Sequence, residues 1–488
     1  METIPEGLLE FKILEKTIFE ALCRVGRELI GDILWEYDLR VLAGRDTREY
    51  RMINFGTTTI KTLMGEVPYR RRYYKKKTGG HVYLLDDVLG VSDGYGLISA
   101  NLAEEIVAEC AEKSYRKSAK TISSLTGQSI SAMGAWGVVQ RFGEKIERQR
   151  ERLKELEASE IVGQLGNHSS SSLFSEYDEI WLSMQKEERR RKGSPVAQAA
   201  KKEGKKPMRI ATAYTGWSQG EDGRYRTENK IAYAAFGEAA GFIADFETLL
   251  SHHYDMDGVE RRVANGDGAS WIRTAAAESG AILQLDPYHR SQAIIKGIRD
   301  RGGRKRVFDA IRAKDVPKVL SVLADLIAEA ENDAERKKIG DLFGYFFKNK
   351  DSLLTWQERE IKLPAPPEGI QYRNLGIQES SNCNLITLRM KHRKGSWSKQ
   401  GGNHMAKMLC LRNTIGLDLI FGLLPAPQAV TPTAEPLSAA QTPMYDGEGY
   451  GGEWLHAAMP FEQAFRTNGR EAIRRMLRLR PLSDRAFM

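Results

Sequence analysis

The chain predicts an α/β core: a mixed sheet covered by helices, interrupted by a helical insertion, behind a mostly helical region that carries a β-hairpin. Three observations predict it. Strand-like runs at 173–185, 209–217 and 230–236 come first, and further runs at 262–266 and 281–285 alternate with helical ones at 240–251, 271–278 and 290–300. Strands followed by alternating strands and helices imply a mixed sheet. Residues 302–350 are almost purely helical and highly charged, and they interrupt that alternation. The first 160 residues show mainly a helical period, broken near Gly65 by a hairpin pattern.

Taken in order, Leu9, Ile13, Ile18, Leu22, Val25, Leu29 and Leu34 give 8–42 the spacing of an amphipathic helix or helix pair. Residues 57–64 and 66–74 form the hairpin arms, turning at Gly65. The second arm interleaves Tyr69, Tyr73 and Tyr74 with Arg70, Arg71, Arg72, Lys75, Lys76 and Lys77. Tyrosines can pack on sugars or bases while cations neutralise phosphates, so Arg70, Arg71, Arg72, Tyr73 and Lys75 are candidate DNA contacts. Helices at 103–112, 114–125 and 131–140, with a turn at Gly127, give a helix-turn-helix outline. A charged helix over 145–160 leads into the core. The loop 186–206 is strongly basic and adds Arg189, Arg190 and Arg191 to the DNA-contact candidates. Segment 425–455 is rich in Pro, Ala, Thr and Gly and reads as a flexible linker. Residues 456–488 read as a basic tail.

The resulting division is 1–160 for DNA binding, 165–300 with 355–424 for the catalytic domain, and 301–354 for the helical insertion. At 488 residues two or three domains fit. The balance of 73 basic against 65 acidic residues leaves +8, compatible with a nucleic-acid partner. The four cysteines lack CxxC spacing, which argues against a zinc site or a disulfide framework. No signal-peptide core and no membrane-length apolar run is evident, so a cytoplasmic protein, nucleoid-associated when bound to DNA, is expected.

Three acids carry the expected chemistry. Asp178 lies inside the first strand, Asp267 follows the fourth in Gly266-Asp267-Gly268, and Glu379 opens a helix after the insertion. Singly, each has an ordinary explanation: a solvated strand acid, a turn, a helix N-terminal acid favoured by the macrodipole. Together, in this order, they match the ribonuclease H-like (retroviral integrase) arrangement. Carboxylates are the hard oxygen ligands that two Mg²⁺ (or Mn²⁺) ions need to cut a phosphodiester. His252 and His253 beside Asp255 and Asp257 have too few further ligands and read as a polar loop.

Gly266-Asp267-Gly268-Ala269-Ser270-Trp271-Ile272 followed by Leu285-Asp286-Pro287-Tyr288-His289 resembles the second-acid region of ISLre-type insertion-sequence transposases, related to the Mutator-like DDE transposases. The hairpin from Thr58 to Val67 with Arg71-Arg72-Tyr73-Tyr74 is similar to their amino-terminal signature. Glu379, Arg389-Met390-Lys391, Trp397-Ser398 and Met405-Ala406 are similar to their third-acid region. The likeness covers roughly residues 55–415. It departs at Gln378 and Ser380, which flank Glu379, and leaves Glu368 as the fallback acid. It implies a DDE transposase that binds terminal inverted repeats and joins their ends to target DNA. Asp178, Asp267 and Glu379 would be metal ligands, and His289 would lie near the active site. The active complex would be a homo-oligomer, at least a dimer. The rivals are a DNA-binding regulator with an inactive core, and a ribonuclease H-like nuclease that does not join strands.

Overall fold

The computed structural model describes residues 11–91, 97–158, 166, 168–185, 204–392 and 395–414. Arg189, Arg190, Arg191, the segment 425–455 and the tail 456–488 lie outside them.

The amino-terminal part is one long helix, α1 (Phe11–Gly44), laid against a hairpin of β1 (Tyr50–Thr62) and β2 (Gly65–Lys76), with β3 (His81–Val82) and α2 (Leu84–Val88) closing it. The strands are longer than their sequence pattern suggests, and the turn is Leu63-Met64, one step before Gly65. Gly65, at φ 121°, opens β2 where a Cβ would lie 2.7 Å from the Arg27 guanidinium. The β2 cations depart from expectation. Arg72 is buried, ion-paired with Asp38 of α1 and 5.0 Å above the Trp35 ring. Arg71 pairs with Asp86 of α2 and lies 3.8 Å above Tyr83. Arg70 sits 4.0 Å above Phe55, and Tyr73 stacks 5.1 Å from His81. Because helices cover the hairpin, these cations are spent inside the module, whereas Lys75 and Lys77 are exposed.

Next come α3 (Ala100–Glu112), α4 (Tyr115–Thr126) and α5 (Ala132–Ala158). Ser99 and Ser114 cap the first two, each hydroxyl accepting a backbone N–H of the first turn, and Gly127 ends α4 in the left-handed region at φ 67°. The third helix and the charged helix expected after it are a single α5. The bundle also packs directly on the central sheet. Leu102, Ile106, Val138 and Phe142 of the bundle share one core with sheet residues Ile180, Leu182, Met208 and Ile210 and with the final helix. Apolar faces that suggest a free-standing bundle are here spent on the sheet.

The central sheet contains β4 (Ser172–Ser183), β5 (Lys205–Tyr214), β8 (Ile231–Ala235), β9 (Arg261–Gly266) and β10 (Ile282–Leu285). Its order is β10-β9-β4-β5-β8. β5 is antiparallel to both its neighbours, β4 and β8, while β9 and β10 run parallel to β4. A small sheet unforeseen in the sequence joins β6 (Trp217–Gln219), β7 (Tyr225–Thr227) and β11 (Ile370–Gln371). Helices α6 (Ala239–His253) and α7 (Ser270–Glu278) bury Phe242, Phe246, Trp271 and Ile272 against one face of the central sheet. Beyond β10, α8 (Pro287–Gly297) packs with the three insertion helices α9 (Arg301–Arg312), α10 (Val316–Glu329) and α11 (Asp333–Lys348) around Leu285.

On the opposite face lie α12 (Gln378–Asn382), a π-helix over Cys383–Lys391, and α13 (Lys399–Thr414). The Arg389 guanidinium donates to the Cys110 carbonyl at 2.6 Å between the rings of Tyr115 and Trp397, tying the π-helix to α3. Trp397 is thus a core residue, its indole N–H donating to Met390. α13 crosses α5 where Gly143 leaves room for the His404 ring, whose nitrogens reach Gln140 and Glu147.

Two substitutions test these joints. Gly143→Ala would drive a methyl into His404 and should lower stability by about 1–3 kcal/mol in thermal melting, the cost of overpacking. Arg72→Ala leaves Asp38 buried without its cation and should cost about 3–5 kcal/mol, whereas Lys75→Ala should leave the melting temperature unchanged.

Candidate active site

The site grows from the pairing of three parallel strands. On β4, Phe174, Glu176 and Asp178 share one face by the two-residue period of a strand. Register sets Glu176 beside Thr212 of β5 and Asn265 of β9, and Asn265 beside Gln284 of β10. Thr212, Glu176, Asn265 and Gln284 therefore form one row across four strands, and all four are buried. The row is polar and bonded throughout. The Asn265 amide donates to Glu176 at 3.0 Å and to Asp286 at 2.7 Å, and Gln284 donates to Asn265 at 3.0 Å.

The same register carried two residues further brings Asp178, in the middle of β4, abreast of Asp267 and Asp286 at the carboxyl ends of β9 and β10. Asp267 and Asp286 each follow the last residue of their strands, and the Asp286 N–H still donates to the Gly266 carbonyl at 2.8 Å. Asp267 sits in a turn held from the insertion. Tyr345 donates its hydroxyl to the Asp267 carbonyl at 2.7 Å, and Gly268, at φ 81°, lies so close to Asn349 that a Cβ would clash. Asp286 caps α8, accepting the His289 N–H at 3.0 Å, with the His289 ring Nδ1 3.3 Å from the same oxygen.

Charges in this row are coupled. Burial pushes the Asp178 carboxyl up to about 6, the negative charge of Asp267 adding to the rise and the Glu179 N–H, His289 and Asn382 opposing it. Burial alone would raise Asp286 too, but its hydrogen bonds to His289 and Asn265 outweigh that and hold it low. His289 is raised by its bond to Asp286, with Asp178 and Asp267 contributing. Asp178, Asp267 and His289 thus lie within electrostatic reach of one another.

Glu379 is brought near less completely. It is exposed on α12, and the residue of that helix that reaches Asp178 is Asn382, whose amide donates to the carboxylate at 2.5 Å. Asn382 in turn accepts from Gln378, and Gln378 accepts from Thr212. Glu379 lies three residues before Asn382, on the same side of the helix. Glu368 is exposed. Among the described residues no three His, Cys, Asp or Glu side chains are gathered closely enough to hold a metal ion. The donor chemistry still fits one: two carboxylates abreast, one of them raised by burial and by the other's charge, are hard oxygen ligands short of positive charge.

The helix bearing Glu379 is anchored by a residue that the sequence reading passed over. Glu176 is fully buried and accepts five hydrogen bonds: from the Tyr214 hydroxyl, the Asn265 amide, and the backbone N–H groups of Gly376, Ile377 and Gln378. The half-buried ammonium of Lys230 donates to Ser381 on the same helix at 2.8 Å. The available signal was an acid two residues before Asp178, on the same face of the strand. His253, weighed beside His252 as a metal ligand, packs its ring tilted against that of His168, centroids 4.5 Å apart, and burial lowers its pKa to about 4.

Because the folded chain holds the Asp178 proton more tightly than an unfolded one, where 3.8 is ordinary, this group favours folding below about pH 4 and loses that contribution as pH rises through about 6. Asp178→Asn should therefore raise the melting temperature at pH 7.5, with an upper bound of roughly 3 kcal/mol. The gain should vanish near pH 4, as melting curves across that range would record.

Sequence comparison places the chain among proteins without an assigned activity. A UPF0236 protein of Caldanaerobacter subterraneus subsp. tengcongensis is 25% identical over 398 residues, covering 80% of this chain and 76% of the relative. Another from the same organism, 23% identical over 399 residues and covering 80% and 75%, bears a name that joins eleven loci. A third, "UPF0236 protein in vanSb 3'region" of Streptococcus gallolyticus, is 22% identical over 410 residues, or 82% and 79% of the two chains. The model of the Uncharacterised protein family (UPF0236) matches residues 4–419, and the chain belongs to that family.

Proposed function

We propose that this protein is a DDE transposase of the insertion-sequence type, with a ribonuclease H-like catalytic domain, acting on the ends of its own element. The observation that carries the proposal is the parallel register of β4 and β9, which ends on Glu176 and Asn265 and leaves Asp267, just past β9, close enough for its charge to act on Asp178, with the helix of Glu379 pinned over the same face. The strand order β10-β9-β4-β5-β8, with only β5 running against the other four strands, supports the fold assignment. So does the position of the insertion helices between β10 and the third acid. A relative whose name covers eleven loci of one organism fits a sequence that copies itself.

In this reading Asp178 and Asp267 supply the ligands already in place, and Glu379 completes the set from α12. A bound divalent cation supplies positive charge at the scissile phosphate and acidifies water. The chain's own task is positioning. The buried row beneath the acids fixes their carboxylates, and the insertion holds the Asp267 turn through Tyr345 and Asn349. His289, raised above its ordinary 6.5, is set to carry a proton beside the phosphate. Exposed Lys75 and Lys77 on the hairpin, with Arg116, Lys117 and Lys120 on α4, offer cations to the DNA backbone.

The test uses duplexes matching the inverted repeats that flank the gene. With Mg²⁺ or Mn²⁺ the protein should nick them and join the new 3′ ends to target DNA. Asp178→Asn, Asp267→Asn and Glu379→Gln should each lower cleavage by more than about a hundredfold, the scale on which misplaced active-site groups act, with end binding kept. Binding without cleavage by the unaltered protein would make it a regulator, and cleavage without joining a nuclease.

A further inference from the structure

Both oxygens of the Asp178 carboxylate are taken by N–H donors. Oδ1 accepts the Glu179 N–H at 2.7 Å, and Oδ2 accepts the Asn382 amide at 2.5 Å. The second donor is the end of a chain. The Thr212 hydroxyl donates to the Gln378 carboxamide oxygen at 2.7 Å, and the Gln378 amide donates to the Asn382 carboxamide oxygen at 2.8 Å. Thr212 is fully buried, and Gln378 and Asn382 are each 4% exposed. Three polar side chains in series, sealed from water, thus run from β5 through α12 to a carboxylate of the acid row.

Each member of this chain can reverse. A carboxamide carries a donor and an acceptor that exchange places by a half-turn of its last torsion, and a hydroxyl accepts as readily as it donates. Reversed, Asn382 donates to the Gln378 oxygen, Gln378 donates to the Thr212 hydroxyl, and the Asn382 oxygen points at Asp178. Against a bare carboxylate that orientation is unfavourable, since two oxygens face each other. With a divalent cation on Asp178 it becomes the favourable one, because an amide nitrogen would turn its positive hydrogens on the ion. The spacing suits the exchange. Mg²⁺ holds its oxygens at about 2.0–2.1 Å, so neighbouring ligands of an octahedral ion lie about 2.9 Å apart. The Asn382 amide end stands 2.5 Å from Asp178 Oδ2. The helix keeps its place throughout, for Glu176 holds its backbone at Ile377 and Gln378, and Lys230 holds Ser381.

We propose that Asn382 is a reversible ligand of the site. Its amide steadies Asp178 while no cation is bound, and its carboxamide oxygen joins Asp178 and Asp267 on a divalent cation, Gln378 and Thr212 reversing with it. The inference rests on the reading of Asp178 and Asp267 as cation ligands. It adds a neutral oxygen from the helix that carries Glu379, and it requires no DNA.

The test titrates the full-length protein with Mn²⁺ in the absence of DNA, reading the free ion by electron paramagnetic resonance. Crystals of the same protein soaked in Mn²⁺ then locate the ion by its anomalous scattering. One ion should touch Asp178, Asp267 and the Asn382 carboxamide, and only the oxygen end of an amide enters such a contact. Asn382→Ala should weaken Mn²⁺ binding by about ten- to a hundredfold, the scale on which support of a metal site acts. Its melting temperature, taken on the same preparation, shows that it folds, and if it does not, the soaked crystal of the natural protein decides alone. An ion held by Asp178 and Asp267 with the Asn382 amide still donating to Asp178 would overturn the proposal and leave the two acids as ligands. So would a folded Asn382→Ala protein that binds Mn²⁺ as tightly as the natural one. Mn²⁺ binding that Asp178→Asn and Asp267→Asn leave unchanged would overturn the reading of the acids, and this inference with it.

Discussion

Everything around the central sheet hangs on the carboxylate of Glu176. It is buried in the middle of the first strand of the central sheet, where an unpaired charge would cost several kcal/mol. Burial lifts its pKa, and the donors gathered on it pull the other way: a tyrosine hydroxyl, a carboxamide and three consecutive N–H groups at the start of α12. Gln378 opens α12 and Ile377 is its N-cap, so two of these N–H groups belong to the end that a helix leaves unsatisfied, and a negative charge there also suits the helix dipole. One side chain thereby settles three local problems. It caps α12, joins β4 to β9 through Asn265, and fixes the height at which Glu379 and Asn382 stand over the sheet.

The bundle of α3, α4 and α5 is bound to that sheet by a second joint of a different kind, made of close packing. Gly143 admits His404, and Arg389 threads between Tyr115 and Trp397 to reach the carbonyl of Cys110. Parts that resemble a separable binding module and a separable enzyme are consequently one packed body over the described residues, and a shift of the bundle is felt at the strand that bears Asp178.

Much of this was legible in the sequence, and the limits have physical causes. The alternation of β4, the Gly-Asp-Gly turn after β9 and the helical stretch of the insertion are local patterns, so the strands, the helices and the positions of Asp178 and Asp267 could be read directly. Sequence spacing reports which face a residue occupies and is silent on what it meets there. Arg71 and Arg72 read as outward cations because nothing in the hairpin announces that Asp86 and Asp38, remote in the chain, will neutralise them. Glu176 was overlooked because its meaning lies in donors some two hundred residues away. The sheet of β6, β7 and β11 escaped because strands of two or three residues carry no period. The π-helix after α12 likewise has no compositional mark, although it follows directly on the turn from which Asn382, ahead of Glu379, reaches Asp178.

The separation between Glu176 and its last donor, 202 residues, also sets a timetable. At a synthesis rate of roughly 5–20 residues per second, about 10–40 seconds pass between the addition of Glu176 to a growing chain and that of Gln378. During that interval β4 and β5 can pair, yet the carboxylate between them has none of the three backbone donors that make its burial tolerable. The sheet must therefore stay open to water, or be sheltered by a chaperone, until the ribosome has delivered the far side of the insertion. A transcript interrupted inside the insertion yields a chain with most of its strands and no means of closing them over Glu176.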